Sequence, residues 1–512
     1  MSARHVVVIG AGIGGLVAAL ELAAQGLQVT LVERAAQPGG KLREVEVGGV
    51  GFDAGPTVFT MRWVFDEIFA AAGLCFSDHV QLERATTLAR HAWIGGARLD
   101  LFADLDRSAD AITAFAGPAE SRRYLEFAAR ARRIYTTLEG PFIRSPCANP
   151  LALMRAVGAR RVGDLLRITP FASLWRALGG HFKDPRLRQL FGRYATYCGS
   201  SPFQAPATLM LVAHVEQEGV WFIRGGMHRL AQALFKAASA HGAQFRFAAE
   251  VAEITTQHGR ASGVKLRNGE HIEADAVIVN ADSAALATGL FGKKAAQAAP
   301  ARSTGRSLSA MTWMMRAESK GFDLHRHNVF FSSDYSREFS DIFKRGQVPT
   351  EPTVYVCAQD RGEHDARAPD GAERLLCLIN APANGDHHSY DSSETHACES
   401  RSLNLMQQCG LHLRQTPEWT RVTTPTDFNR LFPATGGALY GPASHGWKAS
   451  FNRWGSRCRM KGLYLAGGSV HPGPGVPMAA LSGRLAAASL IEDLASTATY
   501  PRMAMPGGTS TR

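Results

Sequence analysis

The chain has 512 residues, of which 45% are hydrophobic, so it can bury a large core and form about three domain-sized units. Its formal net charge is +11. Its eight cysteines include no CxxC pair, which argues against a disulfide framework or a zinc site and predicts reduced thiols. No cleavable leader precedes the first strand and no apolar run reaches the roughly 18 residues of a membrane span, so we expect a cytoplasmic protein with peripheral membrane attachment.

The first predicted element is a strand, a glycine loop and a helix. Val6–Ile9 is a short, uniformly apolar run, which predicts a strand buried on both faces of a parallel sheet. GxGxxG spacing follows at Gly10, Gly12 and Gly15. In that order, these glycines allow a tight turn, a close approach of the backbone to a pyrophosphate, and close packing of the helix on the sheet. Gln28–Val32 predicts the second strand, and Glu33 at its end can accept hydrogen bonds from ribose hydroxyls. The unit predicts a dinucleotide site without specifying which dinucleotide.

Two glycine-containing loops come next. Gly39, Gly40 and Lys41 would let backbone and a cation approach a phosphate or a ring edge. The segments 45–47 and 51–58 predict a hairpin that enters a rigid Gly55-Pro56 turn, which can lie against a flat ring. Taken alone, Lys41 is better explained as an exposed lysine and the turn as an ordinary Gly-Pro turn.

A helix over 63–73 and a β-ribbon over 88–102 lead into a helical, basic region over 104–220. Its arginines include Arg122, Arg123, Arg130, Arg132, Arg133, Arg155, Arg160, Arg161, Arg167, Arg176, Arg186, Arg188 and Arg193. With aromatic clusters such as Phe171–Trp175, this pattern favours a membrane-surface contact, for which Arg160 and Arg161 are candidate anchors. The alternative is a soluble helical subdomain with a solvated basic face. Nucleic acid is not expected as a partner, since no recognised module accompanies the charge.

After residue 220 the pattern returns to α/β. The predicted elements are a helix over 228–240 and strands over 244–247, 250–254, 263–267, 271–273 and 274–279. The last strand ends at a polar cluster containing Asn280 and Asp282, which suggests that the nucleotide-binding domain resumes here after an insertion.

A second insertion covers 293–452. It has predicted strands near 308–315, 353–358 and 375–379 and a helix over 393–409. His387 and His388 lie near two aspartates, but adjacent residues point in different directions in extended chain and no second pair has ligand spacing, so no metal site is expected.

The C-terminal part predicts a strand over 462–465 that runs into glycines and the stretch Ser469–Met478. A helix over 479–494 then closes the fold, and the N–H groups at its start would point at an anionic or electron-rich ligand. The polar segment 496–512 is expected to be a disordered tail.

Three separated motifs together resemble one family. The GAGIGG loop with Glu33, the FDAGPT turn and the YLAGGSVHPGPGVP segment resemble the FAD-dependent carotenoid desaturases, within the wider amine-oxidase-like flavoproteins. The resemblance spans nearly the whole chain and is most specific at HPGPGVP. It implies an α/β fold with a Rossmann-type FAD-binding domain, an inserted α+β substrate domain and a helical membrane-facing region. The family's usual GGR is Gly39-Gly40-Lys41 here, which keeps the positive charge but loses the bidentate fork.

The resemblance also implies the FAD-binding residues. They are Gly10, Gly12, Gly14 and Gly15 in the pyrophosphate loop, Glu33 at the adenosine ribose, Lys41, Thr57 and Val58 beside the flavin, Val251 at adenine, Asn280 and Asp282 in the strand-end cluster, and Gly468, Ser469, Gly475, Val476, Pro477 and Met478 in the C-terminal cradle. No catalytic residue is assigned. His471 is the first candidate for a polar role near the flavin, against the alternative of a loop histidine packed on Pro472.

These inferences divide the chain into a discontinuous FAD-binding domain, a substrate domain, a basic helical region and a tail. The expected segments are 1–75, 221–292 and 453–495 for FAD, 76–103 and 293–452 for substrate, 104–220 for the helical region and 496–512 for the tail.

The segment Val476–Ala487 looks most like the bacterial 1-hydroxycarotenoid 3,4-desaturases of spheroidene and spirilloxanthin synthesis. That resemblance implies that a long C40 polyene is oxidised at the inner membrane surface, with oxygen or a quinone as electron acceptor. The alternatives are phytoene desaturase, an amine oxidase, and a flavin-free lipid-binding protein on the same fold.

Overall fold

The computed structural model describes residues 4–146, 171–299, 305–362 and 371–498. Its strands in chain order are β1 (His5–Ile9), β2 (Gln28–Val32), β3 (Glu44–Val47), β4 (Val50–Asp53), β5 (Phe59–Thr60), β6 (Leu82–Arg84), β7 (Thr87–Ala92), β8 (Arg98–Phe102), β9 (Val220–Ile223), β10 (Gln244–Arg246), β11 (Val251–Gln257), β12 (Arg260–Leu266), β13 (His271–Glu273), β14 (Ala276–Val279), β15 (Ser309–Lys320), β16 (His327–Phe330), β17 (Val354–Ala358), β18 (Glu373–Ala381), β19 (His412–Thr423) and β20 (Leu463–Leu465).

The α-helices connect and cover these strands. They are α1 (Ile13–Ala24), α2 (Arg62–Ala71), α3 (Phe76–His79), α4 (Leu105–Ala116), α5 (Pro118–Leu138), α6 (Leu174–His181), α7 (Pro185–Gly192), α8 (Leu211–Glu218), α9 (His228–Ala240), α10 (Ser283–Ala287), α11 (Lys293–Gln297), α12 (Tyr335–Ser340), α13 (Ser392–Gln408), α14 (Pro425–Leu431) and α15 (Val476–Ala498). Single turns of 3₁₀ or π-helix are Glu139–Ile143, Arg193–Cys198, Ala207–Met210, Asp341–Arg345 and Ala449–Phe451.

A five-stranded parallel sheet in the order β10-β2-β1-β14-β20 lies at the centre of the nucleotide-binding part. The uniformly apolar β1 explains this position, because its two faces meet different layers. Val6 and Val8 pack with the helices α1, α9 and α15, whereas Val7 and Ile9 pack with the three-stranded sheet β11-β12-β13. The predicted α/β fold with a Rossmann-type sheet is thereby confirmed.

The first and last helices are packed closely against each other. A Cβ added to Gly483 in α15 would lie only 2.1 Å from the Gly14 carbonyl oxygen in α1. Real Cβ atoms do not approach a carbonyl oxygen so closely, so glycine at this crossing lets the two helix backbones come together. The two ends of the chain therefore build one wall of the nucleotide-binding part.

The second large sheet has the order β19-β15-β18-β17-β16-β7-β8. Its pairs are antiparallel except β16 with β7, which is parallel. The ribbon β7–β8 thus joins strands that follow it by more than two hundred residues. At the start of 76–103, by contrast, β6 pairs with β9, and Phe76 and Val80 lie in the core of the nucleotide-binding part.

The helices α4 to α8 pack on this second sheet through an aromatic core. Phe127 and Phe191 have ring centroids 4.6 Å apart, and Phe182 stacks on Phe191 at 4.9 Å. These rings share one buried cluster with residues of β16, β17 and β18. The helical region predicted over 104–220 is therefore anchored to the second sheet in its described parts.

One strand and both bounds of the final helix differ from the prediction. The strand β19 was not predicted, because it is largely polar and exposed. The final helix begins at Val476 and not at Ala479, which places Pro477 in its first turn, where a missing N–H costs nothing. It continues to Ala498, so the predicted tail cannot begin at residue 496, and residues 499–512 lie outside the described part.

Candidate functional site

The N-terminal glycine loop lies at the carboxyl end of β1 and lines a cavity. Gly10 has φ of +99°, and a Cβ there would lie 2.7 Å from the Asn280 carbonyl oxygen. A Cβ on Gly12 would lie 2.8 Å from the Asn280 amide nitrogen, and one on Gly15 would lie 2.1 Å from the Gly10 carbonyl oxygen. Only glycine fits these positions. The first N–H groups of α1 follow directly and have no acceptor within the helix, which makes this turn suited to a phosphate.

Glu33 follows β2 and is held by two backbone donors. Its Oε2 accepts a hydrogen bond from the Ala11 N–H at 2.7 Å, and its Oε1 accepts one from the Ala35 N–H at 2.7 Å. Ala11 belongs to the glycine loop, so Glu33 fixes the shape of that loop, a role that the sequence analysis missed. Glu33 also lines the cavity, and its carboxylate oxygens retain lone pairs for ribose hydroxyls.

The predicted strand-end cluster is assembled from three segments. The Asn280 side chain donates to the Gly10 carbonyl oxygen at 3.2 Å. Asp282 caps α10 by accepting from the Ala284 N–H at 2.9 Å, and Ser469 Oγ accepts from the Ser283 N–H at 2.9 Å. These side chains meet where the parallel strands β1, β14 and β20 end, which is the edge where ligands bind in such sheets.

Lys41 lies in the cavity wall next to the glycine loop. Its Nζ donates to the Leu439 carbonyl oxygen and lies 5.4 Å from the centroid of the Phe432 ring. Burial lowers its pKa, and the Asp282 carboxylate offsets part of this effect. The alternative of an exposed lysine is therefore wrong.

The FDAGPT turn packs directly on the loop that carries Lys41, because a Cβ on Gly55 would overlap the Lys41 carbonyl oxygen at 1.8 Å. Asp53 accepts from the N–H groups of Met227 at 2.8 Å and His228 at 3.2 Å, and so anchors the start of α9. Thr57 Oγ1 is hydrogen-bonded to the Tyr355 hydroxyl at 2.7 Å. The turn thus connects the nucleotide-binding part to the second sheet.

The closing segment completes the same cavity. A buried arginine absent from the predictions, Arg453, holds it by donating to the carbonyl oxygens of Pro442 at 2.7 Å and of Gly468 and Tyr440 at 3.2 Å. Burial lowers the pKa of Arg453. The chain order gave no signal for this role, because the guanidinium binds carbonyl groups of two separate segments, 440–442 and 468–469.

His471 does not line this cavity, although its neighbour Pro472 does. Its ring nitrogen Nε2 is hydrogen-bonded to the Phe142 carbonyl oxygen at 2.9 Å, and its ring meets the Phe142 ring edge to face at 4.9 Å. Burial lowers the pKa of His471 to about 4. The structure therefore supports a packing role for His471, with Phe142 as its partner.

One continuous cavity of about 1040 Å³ brings the predicted site residues together. Gly15 is the one predicted site residue that does not line the cavity, and it is buried behind the glycine loop. The predicted residues that line the cavity are Gly10, Gly12, Gly14, Glu33, Lys41, Thr57, Val58, Val251, Asn280, Asp282, Gly468, Ser469, Gly475, Val476, Pro477 and Met478.

Beyond Thr57 the cavity continues between the helical region and the second sheet. This part is lined by residues that the sequence analysis did not assign to the site, including Leu209, Val212, Val215, Leu376 and Leu378. A smaller set of polar side chains lies among them: Arg193, Tyr197, Thr312, Tyr335, Tyr355 and Asn380. Two exposed aromatic side chains, Phe171 and Trp447, also line the cavity, with their ring centroids 5.3 Å apart.

The described arginines of the helical region do not form one solvated basic face. Arg193 lines the cavity. Arg188 lies 4.3 Å from the centroid of the Trp175 ring and donates to the Trp175 carbonyl oxygen at 2.9 Å. The side chains of Arg122, Arg132 and Arg133 are exposed. The candidate anchors Arg160 and Arg161, with Arg155, Arg167 and Cys147, lie outside the described residues.

Two further expectations concern membranes and metals. None of the helices described here is both long and apolar enough to cross a membrane. Within the described ranges, no group of three or more histidine, cysteine, aspartate or glutamate side chains is arranged to hold a metal ion. His387 and His388 instead contact Asp386 at 3.0 Å and Glu394 at 2.9 Å, respectively.

The described residues fit FAD. The glycine loop is too crowded for any Cβ but leaves the first turn of α1 at the cavity wall, where a pyrophosphate needs N–H donors. Glu33 lies at the end of β2, where its carboxylate can accept hydrogen bonds from ribose hydroxyls and would repel a 2′-phosphate. The start of α15 lies beside the first turn of α1, since a Cβ on Gly14 would be 2.9 Å from the Ala479 carbonyl oxygen, and it offers a second set of N–H groups.

Comparisons with known proteins point to the same class. The family model of the flavin containing amine oxidoreductases matches residues 13–491. The hydroxyneurosporene desaturase of Rubrivivax gelatinosus is 56% identical over 514 residues, covering 99% of this chain and 97% of that protein. The hydroxyneurosporene desaturase of Cereibacter sphaeroides is 44% identical over 493 residues, covering 96% of this chain and 98% of that protein. The crystal structure of an oxidoreductase from Methanosarcina mazei has a TM-score of 0.58 at 15% identity, covering 95% of this chain and 100% of that chain.

These findings confirm the resemblance to the carotenoid desaturases that the three sequence motifs indicated. They also make FAD the cofactor and leave the flavin-free alternative without support. The chain belongs to the family of flavin containing amine oxidoreductases.

Proposed function

We propose that this enzyme is an FAD-dependent desaturase of C40 carotenoids that introduces the C-3,4 double bond into 1-hydroxycarotenoids, in spheroidene or spirilloxanthin synthesis. One observation carries the proposal: a single cavity runs from the phosphate-binding loop into a largely apolar chamber against the second sheet. Two relatives that match nearly the whole chain are hydroxyneurosporene desaturases. An elongated, apolar chamber suits a polyene.

The predicted site residues would hold FAD in this cavity. The loop around Gly12 and the first turn of α1 would bind the pyrophosphate, Glu33 the ribose and Val251 the adenine side. Lys41, Thr57 and the start of α15 would lie beside the flavin. When bound, FAD supplies the hydride acceptor.

The chamber residues would position the substrate and exclude water. Leu376 and Leu378 on β18 face the same cavity as Val212 and Val215 on α8, so an apolar chain between them is shielded from solvent on both sides. Forming the double bond removes one hydrogen each from C-3 and C-4, one as a hydride and the other as a proton. The conjugated polyene delocalises the charge that develops, so we assign no dedicated base.

The enzyme would take its substrate from the cytoplasmic surface of the inner membrane. Support comes from Phe171 and Trp447, which line the cavity and are 68% and 42% exposed, and from Lys448, whose Nζ lies 5.3 Å from the centroid of the Trp447 ring. Exposed aromatic side chains next to a cation are typical of a membrane-interface contact.

Liposome co-sedimentation tests the membrane contact. Replacing both Phe171 and Trp447 by serine should reduce binding to anionic vesicles. Ile94→Ser is the matched control, because Ile94 is 47% exposed but does not line the cavity. Equal pelleting of the double variant and the control would contradict this contact.

Conversion assays test the activity. Purified holoenzyme should desaturate a 1-hydroxylated polyene in liposomes, seen as a longer-wavelength absorption maximum of the extracted product. Phytoene in the same liposomes is the comparison substrate, and conversion of phytoene alone would overturn the proposal. Running both assays with and without oxygen, and with an added quinone, identifies the electron acceptor.

A further inference from the structure

Arg193 is a cationic side chain in the wall of the otherwise largely apolar chamber. It begins the 3₁₀ turn that follows α7. Its guanidinium carbon lies 5.3 Å from the centroid of the Tyr355 ring and 5.9 Å from that of Tyr197. Tyr355 in turn is bonded through its hydroxyl to Thr57 of the FDAGPT turn, so Arg193 belongs to the part of the chamber next to the nucleotide-binding residues.

No carboxylate in the described residues forms an ion pair with Arg193. The buried carboxylate of Glu216 is engaged by the hydroxyls of Tyr194, at 2.7 Å, and Tyr197. Burial acts to lower the pKa of Arg193, but the surrounding phenols and Glu216 outweigh it and raise that pKa. The guanidinium therefore stays charged, and it carries five N–H donors of which its protein neighbours can use only some.

A polar group in the same wall has no partner. The hydroxyl of Tyr335 is buried and makes no hydrogen bond within the described protein, and the side chain lines the same cavity as Arg193. Buried polar groups without a partner are costly, and a ligand oxygen in this chamber would give the Tyr335 hydroxyl a partner and the Arg193 guanidinium an acceptor.

The chemistry of the proposed reaction places the oxygen of the substrate near the flavin. In a 1-hydroxycarotenoid only C-2 lies between the carbon that carries the oxygen and C-3, one of the two carbons that lose hydrogen. The oxygen must therefore lie close to the flavin when the reacting carbons do. The guanidinium of Arg193 lies against the Tyr355 ring, Tyr355 is hydrogen-bonded to Thr57 of the FDAGPT turn, and Tyr335 lines the same cavity.

We propose that Arg193 and Tyr335 bind the oxygen on C-1 of the substrate and make the enzyme selective for oxygenated over hydrocarbon end groups. This inference rests on the proposed function. Because both side chains can donate and the guanidinium cannot accept, the site takes a tertiary alcohol or its methyl ether alike. A hydrocarbon end leaves the Tyr335 hydroxyl unpaired and offers Arg193 no acceptor, so it binds weakly and in variable register.

The test compares the 1-hydroxylated polyene with the same polyene lacking the oxygen. Arg193→Met should lower the ratio of their kcat/KM values by about 100-fold or more, because a site built around a substrate hydroxyl discriminates strongly. Tyr335→Phe removes one neutral donor and should lower the ratio by about 10-fold. Equilibrium binding of the hydroxylated polyene to holoenzyme whose flavin has already been reduced, so that no turnover occurs, should weaken in both variants.

Arg188→Met is the matched control. It also removes a guanidinium from an aromatic ring, but Arg188 lies outside the cavity wall, so the selectivity ratio should equal that of the wild type. Tyr335→Phe preserves the shape of the side chain, so it decides the matter even where Arg193→Met does not fold. If the wild type prefers the hydroxylated polyene and both variants keep that preference, this inference is wrong and the proposed function stands. If the wild type converts neither polyene, the proposed function fails and this inference with it.

Discussion

Replacing Glu33 by glutamine is the most informative change at the nucleotide-binding end. The carboxylate accepts hydrogen bonds from Ala11 and Ala35 at 2.7 Å each, and hydrogen bonds to a charged group contribute about 1.5–3 kcal/mol each. Glutamine keeps one carbonyl oxygen, but its NH₂ group would face the other N–H donor. One bond weakens to the neutral range of about 1 kcal/mol and the other is lost.

The glycine loop that binds the pyrophosphate is ordered by one of these two bonds, so part of the loss appears in cofactor binding. The glutamine amide is also a poorer acceptor for the ribose hydroxyls. The two effects together should weaken the free energy of FAD binding by about 1.5–3 kcal/mol, which raises the Kd for FAD roughly 10- to 100-fold.

Fluorescence titration of the flavin-stripped protein with FAD measures this Kd directly. The control is Glu46→Gln, which makes the same chemical change at an exposed position of β3. If Glu33→Gln binds FAD as tightly as Glu46→Gln does, then neither the loop anchor nor the ribose contact is correct.

Two further predictions concern stability. Gly483→Ala should lower the free energy of unfolding by about 1–3 kcal/mol, because the added Cβ pushes α15 away from α1. Gly180→Ala is the control and should not lower it, because the space around its Cβ is open. Equal melting temperatures of the two variants would contradict the close helix crossing. Burial raises the pKa of Glu338 from 4.5 to about 7, so the folded protein holds this proton more tightly than the unfolded chain does. The resulting contribution to the free energy of unfolding is fully present below about pH 4.5 and is lost as the pH rises through 7. Relative to Glu338→Gln, the wild type should lose about 3 kcal/mol over this range in chemical denaturation, and parallel pH profiles would refute the shift.

The elements that could be predicted from the sequence are those whose signal is local. The apolar run of β1 and the glycines after it each specify their own backbone, and the structure has the corresponding strand and loop. The fold class was implied by the family resemblance of the three sequence motifs. The joining of β7–β8 to β16 depends on pairing between distant segments, and the chain order alone carries little information on such pairing.

The nucleotide-binding wall of the site was predictable because it is built from motifs. The residues of the apolar chamber could not be predicted in this way. Arg193 is one arginine in a basic helical stretch, and by composition it belongs with exposed neighbours such as Arg132. Its burial follows from Tyr355, a residue of β17 that lies far along the chain. Asn380 and Tyr335 likewise reach the cavity only after the second sheet has formed.

The central claim is that one cavity holds FAD and a 1-hydroxylated polyene together. Mixing purified holoenzyme with that polyene in liposomes under anaerobic conditions, and recording the flavin absorbance, tests it directly. We predict that the oxidised flavin band bleaches and that product with a longer chromophore forms in equal amount. An unchanged flavin band with this polyene, or bleaching by a simple amine instead, would contradict the account.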